Sequence, residues 1–192
     1  MGKCGVAFDL DGVLVNWFFL VESALEYTYG VKFGENRSYD CWEDIGLLEE
    51  QVWEQIRECY GRWQEYEVEP YAEELLCKLY EKTGDPIRIV TARPVWSASD
   101  TYACVNNVVR GKVPHVLCFA DGGYESCGNG KLLYLKDYSW FVDDRLSTAE
   151  ILAEDGKYVF VPKRKYNEGS KNNRIVYIDN LKWLINNIGL FV

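Results

Sequence analysis

Histidine is almost missing from this 192-residue chain, which has one, and methionine also occurs once. Cysteine is present seven times, at positions 4, 41, 59, 77, 104, 118 and 127, with no CxxC pair among them. A zinc centre of the Cys/His type needs clustered ligands of those two kinds, so this distribution excludes one. Cys4, Cys77, Cys104 and Cys118 lie in apolar contexts and read as small buried hydrophobes. Positive charge is short too, with 21 Lys and Arg against 30 Asp and Glu, a net charge of −9. That balance argues against a nucleic-acid polymer as partner, because a phosphate backbone calls for a basic surface. No apolar run reaches membrane-spanning length, so no membrane is expected. Met1-Gly2-Lys3 passes straight into a strand-like run without a signal-peptide pattern, and a reduced, cytoplasmic compartment is the expectation.

What is present is a globular composition, 48% hydrophobic, with an unusually large aromatic share of 15%. Core packing accounts for such rings; the sharper reading is that some line a site for a flat organic group. The run from Lys3 to Leu10 is apolar and ends abruptly in Asp9-Leu10-Asp11-Gly12, the pattern of a buried parallel strand at its carboxyl end. From Val13 to Tyr66 the spacing is helical instead. Trp17, Leu20, Val21, Ala24, Leu25 and Thr28 predict one helix, and Leu48, Val52, Gln55, Ile56 and Cys59 another. Gly30, Gly34 and the cluster Asn36-Arg37-Ser38 break the segment between them, and no clear strand is visible there.

After Pro70 strands and helices alternate. Helices are expected over 71–82, 97–109, 131–136, 147–154 and 181–188, and strands over 87–90, 115–119, 140–142 and 158–161. Residues 175–178 read as strand or loop. The alternation predicts an α/β fold, a Rossmann-like parallel sheet with helices on both faces, and a small helical cap inserted after the first strand. The core then comprises residues 1–12 and 68–192, and the cap residues 13–67.

Three polar clusters each follow an apolar strand: Asp9 with Asp11, Thr91 with Arg93, and Asp143 with Asp144. In an open parallel sheet the site forms at the carboxyl ends of the strands, so these clusters converge on one crevice. Of two carboxylates spaced as Asp9 and Asp11 are, one can attack phosphorus and the other can protonate the leaving alkoxide. Attack on an anion requires neutralisation, which a magnesium ion held by Asp9, a backbone oxygen and Asp143 or Asp144 would supply. Taken singly, each acidic pair could be a solvated turn or a helix N-terminus. Their joint placement after strands makes that reading the weaker one.

Phe8-Asp9-Leu10-Asp11-Gly12-Val13 resembles the first motif of the haloacid dehalogenase superfamily, Val90-Thr91-Ala92-Arg93 its second, and Phe141-Val142-Asp143-Asp144-Arg145 its acidic fourth. The motifs stand in the family's order and span the core. The resemblance implies Asp9 as nucleophile, Asp11 as acid/base, and Thr91 with a nearby backbone amide, that of Ala92, on the phosphoryl group. It also implies a magnesium site from Asp9, the carbonyl of Asp11, and Asp143 or Asp144. The family's third motif is a lysine between nucleophile and phosphate. Lys131, opening a short helix after Gly128-Asn129-Gly130, is the first choice and Lys136 the second. Arg93 and Arg145 flank the expected phosphate position as substrate-binding candidates, while the lone His115 reads as structural.

The acid at Asp11 separates this chain from the dehalogenase branch, because halide leaves without protonation. The early helical insert, the Asp-Asp-Arg ending and the Tyr166-Asn167 loop are similar to the 5′(3′)-deoxyribonucleotidase group. Thr-Ala-Arg departs from the Thr-Ser-Pro found there. The expected activity is thus magnesium-dependent phosphomonoester hydrolysis through an aspartyl phosphate, on a nucleoside monophosphate. A sugar phosphate or other small metabolite is the alternative substrate, and a silent binding protein the alternative class. Trp17, Phe18 and Phe19 are candidates to stack on a base or, equally, to pack the cap. A homodimer is left open.

Overall fold

The computed structural model describes residues 5–33, 45–120 and 127–190. In chain order the elements are β1 (Val6–Phe8), β2 (Val15–Asn16), α1 (Phe18–Tyr29), α2 (Glu49–Gly61), β3 (Glu67–Val68), α3 (Ala72–Thr83) and β4 (Ile87–Thr91). There follow α4 (Ala98–Val109), β5 (His115–Phe119), α5 (Cys127–Leu132), β6 (Trp140–Val142), α6 (Leu146–Glu154), β7 (Tyr158–Pro162), β8 (Ile175–Ile178) and α7 (Lys182–Asn186).

Six of the strands form one parallel sheet in the order β5-β4-β1-β6-β7-β8. Because side chains alternate across a strand, successive apolar residues feed two separate cores. Phe8, Ile89, Val142 and Phe160 pack on the face covered by α3, α4 and α7. Ala7, Val90, Phe141, Val159 and Val161 pack on the other, against Ala149, Leu152 and Ala153 of α6. Burial on both faces is why these strands read as continuous apolar runs, and the doubly covered α/β sheet expected from the alternation is what forms. β1 sits at the centre, with β4 on one side and β6 on the other. The chain fills one flank and then crosses to the other, which opens a crevice at the carboxyl end of β1.

Glycine ends two of the helices. α3 stops at Gly84, whose φ of 70° suits glycine, and α1 stops the same way at Gly30. Several expectations need correction. The segment after β1 does contain a strand: Val15–Asn16 pairs antiparallel with Glu67–Val68, tying the two ends of the insert together. Strands of two residues are too short to show a period, so the pattern missed them. The helix expected at 131–136 lies earlier, at Cys127–Leu132, and Lys131 is near its end rather than its start. The last helix divides into α7 and a 3-10 turn at Ile188–Leu190. Cys104 and Cys118 are buried and Cys77 is half-buried, while Cys4, Gly34 and Asn36-Arg37-Ser38 lie outside the described residues.

Candidate active site

Asp9 continues β1 by one residue, its amide donating to the Val142 carbonyl at 2.8 Å. Asp143 likewise prolongs β6, its amide donating to the Phe160 carbonyl at 3.1 Å. Two adjacent strands thus end in carboxylates side by side. After Asp9 the chain turns sharply: the amides of Leu14 and Val15 both donate to the Leu10 carbonyl, and the amide of Gly12 donates to the Val15 carbonyl. Gly12 makes this turn with φ of 76°. A side chain there would collide with Asp144, since an added Cβ would lie 2.0 Å from its Oδ2.

Lys131 joins the two strand ends. Its Nζ donates to Asp9 Oδ2 at 2.7 Å and to Asp143 Oδ2 at 2.7 Å, with the side chain only 1% exposed. The other oxygens are held by backbone amides, Asp9 Oδ1 by Leu10 at 2.8 Å and Asp143 Oδ1 by Arg145 at 2.9 Å. Lys136, the second choice from sequence, is exposed. Asp144 Oδ2 accepts from the Tyr166 hydroxyl at 2.5 Å. Asn167 braces the same loop, its side-chain amide donating to the carbonyls of Asp144 and Pro162, each at 2.8 Å.

Burial and like charge act together on this group. Asp9 is pushed up to about 7, by burial foremost; Lys131 opposes the rise and Asp143 adds to it. Asp144 is raised well above the carboxylate range by burial, then by Asp143 and Asp9. Asp9, Asp143 and Asp144 each offer an oxygen within 4.8 Å of the others. Asp144 Oδ1 is buried with no hydrogen-bond partner. Three carboxylates against one lysine, with one oxygen left over, fit a hard divalent cation, which takes oxygen ligands and removes the repulsion. The Asp11 carboxylate is not in this group.

Asp11 is instead committed to Arg93. The guanidinium donates from Nε to Oδ2 at 2.8 Å and from Nη2 to Oδ1 at 2.6 Å, a bidentate fork. Arg93 is fully buried and its charge rests on two rings, Tyr60 at 4.6 Å and Tyr66 at 5.2 Å. Burial works against its charge and Asp11 outweighs it, so its proton is held more tightly than usual. Thr91 is buried at the end of β4, and its Oγ1 accepts from the Arg93 amide at 3.1 Å. Arg145 is half-buried at the N-terminus of α6, and Ala92 is exposed. Sequence reasoning did not find the roles of Tyr60, Tyr66, Asn167 and Arg164. Arg164 pairs with Glu69 and donates to the Gly12 carbonyl at 3.3 Å. For Asn167 and Arg164 the signals were the polar run 163–167 directly after β7 and the resemblance of its Tyr166-Asn167 loop; Tyr60 and Tyr66 had none.

A cleft of about 220 Å³ opens beside these groups, lined by Gly12, Trp17, Phe18, Phe19, Asp144 and Tyr166 among others. Trp17 and Phe18 are buried, and Trp17 stacks on Tyr60 at 5.9 Å, whereas Phe19 is 60% exposed. His115 stands at the start of β5, far along the sheet from the strand ends that carry the acids, with Nδ1 3.3 Å from the Val113 carbonyl.

No family model and no curated protein sequence matches the chain. Solved structures do. CbbY from Rhodobacter sphaeroides, in complex with phosphate, superposes with a TM-score of 0.65 over 96% of both chains at 13% identity. The L-2-haloacid dehalogenase RSc1362 superposes at 0.65 over 98% of this chain and all of its own, at 14% identity. A HAD-superfamily hydrolase of subfamily IA from Geobacter sulfurreducens superposes at 0.58 over 97% of this chain and 99% of its own, also at 14%. No membrane-crossing helix occurs among the described residues. The α/β architecture built around Asp9 is therefore the fold shared by haloacid dehalogenase superfamily structures.

Proposed function

We propose that the protein is a metal-dependent phosphomonoesterase that hydrolyses a small phosphorylated metabolite through an aspartyl phosphate on Asp9. The observation that carries this reading is the placement of Asp9: it ends the central strand, held by Lys131 against Asp143, with Asp11 two residues further on. Residues 1–12 and 68–192 then serve as the catalytic core and residues 13–67 as its cap.

Asp9 attacks phosphorus as the bond to the leaving oxygen breaks, and Asp11 gives that oxygen its proton. Asp11 then takes a proton from water, which attacks the acyl phosphate, releases inorganic phosphate and restores Asp9. Lys131 keeps Asp9 aimed and balances charge as it builds on the phosphoryl oxygens. The Thr91 hydroxyl accepts from Arg93 and so keeps its own proton to donate to the phosphoryl group, together with the Ala92 amide. Arg145, half-buried at the start of α6, is assigned to a further substrate anion. Asp9, Asp143 or Asp144, and the Asp11 carbonyl would hold magnesium, which would neutralise the substrate phosphate.

An acid at Asp11 favours an ester over a halide substrate, because an alkoxide must be protonated to leave. Two leaving groups have support. The aromatic cleft suits a nucleoside; the CbbY structure in complex with xylulose-(1,5)bisphosphate shares the fold and supports a sugar phosphate at least as well. Phosphate release from nucleoside monophosphates and sugar phosphates, with magnesium, with EDTA and with Asp9→Asn, tests the proposal. Metal-dependent release that vanishes in Asp9→Asn supports it, and the preferred ester settles the leaving group. Undiminished release from Asp9→Asn overturns the assignment of the nucleophile.

A further inference from the structure

Arg93 is the largest completely buried side chain among the described residues, and the chemistry just described gives its guanidinium no task. Burying a guanidinium is costly unless it is paired and hydrogen-bonded. Here the pairing goes to the carboxylate two residues after the nucleophile. Nε and Nη2 take one oxygen of Asp11 each, at 2.8 and 2.6 Å. A fork of this kind sets the plane of the carboxylate as well as its position, which a point-charge cation cannot do.

The support behind Arg93 comes from the insert. Tyr60, in the last turn of α2, lies 4.6 Å from the guanidinium carbon, and Tyr66, just before β3, lies 5.2 Å from it. Both rings are anchored in turn. Tyr60 stacks on Trp17 and leans on Trp96 at 5.7 Å, and the Tyr66 hydroxyl donates to the Cys59 carbonyl at 2.8 Å. Arg93 therefore bridges the loop after β4 and the insert, and its only charged partner among the described residues is Asp11.

We propose that Arg93 is a positioning residue for Asp11: its fork orients the acid/base carboxylate toward the leaving oxygen, and Tyr60 and Tyr66 hold the fork in place. This rests on the phosphomonoesterase reading of Asp9 and Asp11. In the first half-reaction the Asp9 oxygen bonds to phosphorus and the phosphorus–oxygen bond of the ester breaks; a proton carried on an Asp11 lone pair that the fork does not occupy passes to the departing oxygen, leaving the carboxylate paired with Arg93. An alkoxide depends on that proton. p-Nitrophenolate leaves without it, so an acid that is present but badly aimed penalises the alkyl ester selectively.

The test compares an alkyl phosphate from the panel above with p-nitrophenyl phosphate, using wild type, Arg93→Lys, Arg93→Met, Tyr60→Leu and Asp11→Asn. The ratio of alkyl to p-nitrophenyl kcat/KM, which reports the phosphorylation half-reaction and not the shared hydrolysis of the aspartyl phosphate, falls about 100-fold in Arg93→Lys and Arg93→Met, as expected for a misplaced general acid, with Asp11→Asn as the benchmark. Tyr60→Leu lowers the ratio less and in the same direction. Should Arg93→Met fail to fold, Arg93→Lys and Tyr60→Leu decide. Equal losses of kcat/KM on both esters would make Arg93 an ordinary structural tie and overturn the inference. Wild-type protein that releases phosphate from neither ester overturns the phosphomonoesterase reading, and the positioning role with it.

Discussion

Gly12 and Asp144 approach so closely that one added carbon at Gly12 would lie 2.0 Å from Asp144 Oδ2. The turn after the first strand and the acidic loop after β6 are therefore a single packed unit. Backbone at φ of 76° adds a second reason for glycine at this position. Gly12→Ala is expected to cost about 1–3 kcal/mol from the strained conformation alone, and to weaken magnesium binding by displacing Asp144. Denaturant unfolding and magnesium titration calorimetry check both parts, and a variant with wild-type stability and affinity contradicts the packing argument.

Lys131 and Lys136 separate cleanly in a substitution experiment. Removing Lys131 as Lys131→Ala leaves Asp9 and Asp143 buried without their shared cation, an effect of about 3–5 kcal/mol for a broken buried pair. Turnover is expected to fall roughly 100-fold or more with the loss of charge stabilisation at the phosphoryl group. Lys136→Ala, at an exposed position, should stay within about 0.5 kcal/mol of wild type and keep its activity. Chemical denaturation and kcat/KM for both variants are the measurements.

The raised affinity of Asp9 for its proton makes metal-free stability depend on pH. Its value is about 7 in the fold against 3.8 for the free side chain, so the native state binds the proton more tightly than the unfolded chain does. Stability from this group is complete below 3.8 and is lost as pH rises through about 7. The buried Asp144 acts in the same direction. In EDTA the melting temperature should therefore be lower at pH 8 than at pH 6, and magnesium should raise it more at pH 8. Asp9→Asn should flatten the EDTA profile. A melting temperature in EDTA that climbs over this range contradicts the assignment.

Tyr166 lines the cleft beside Asp144 and donates its hydroxyl to Oδ2 at 2.5 Å. Tyr166→Phe removes that hydroxyl and keeps the ring that lies 6.4 Å from Phe18. Loss of such an outer hydrogen bond typically weakens metal binding about 10- to 100-fold. Magnesium affinity should fall in this range while far-ultraviolet dichroism is unchanged. Equal affinity in the variant removes Tyr166 from the metal site.

The core was legible because its signals are local. Three apolar runs, each closed by acids or by threonine, announce parallel strands with a shared carboxyl edge, and Pro70 and Gly84 punctuate the helix between insert and sheet. The insert was legible only as helices. Its antiparallel ribbon pairs Val15 with Val68, residues with no sequence relation to one another. Lys131 was the first choice from its place twelve residues before Asp143 and after Gly128-Asn129-Gly130, with Lys136 left as the second. Reach decided between them, since one side chain turns in to two carboxylates and the other stands in solvent.

Taken alone, the sequence determined the layered α/β architecture and the sheet edge at which Asp9, Asp143 and Asp144 gather. Strand and helix periodicity are properties of short stretches, and chain alternation leaves few ways to cover a parallel sheet. Tertiary structure alone decided the pairings: Arg93 with Asp11 across 82 positions, Tyr166 with Asp144, and Tyr60 and Tyr66 around the guanidinium. Those choices depend on distances between side chains brought together by folding. A buried charge must find its partner in the space around it, whatever its separation along the chain.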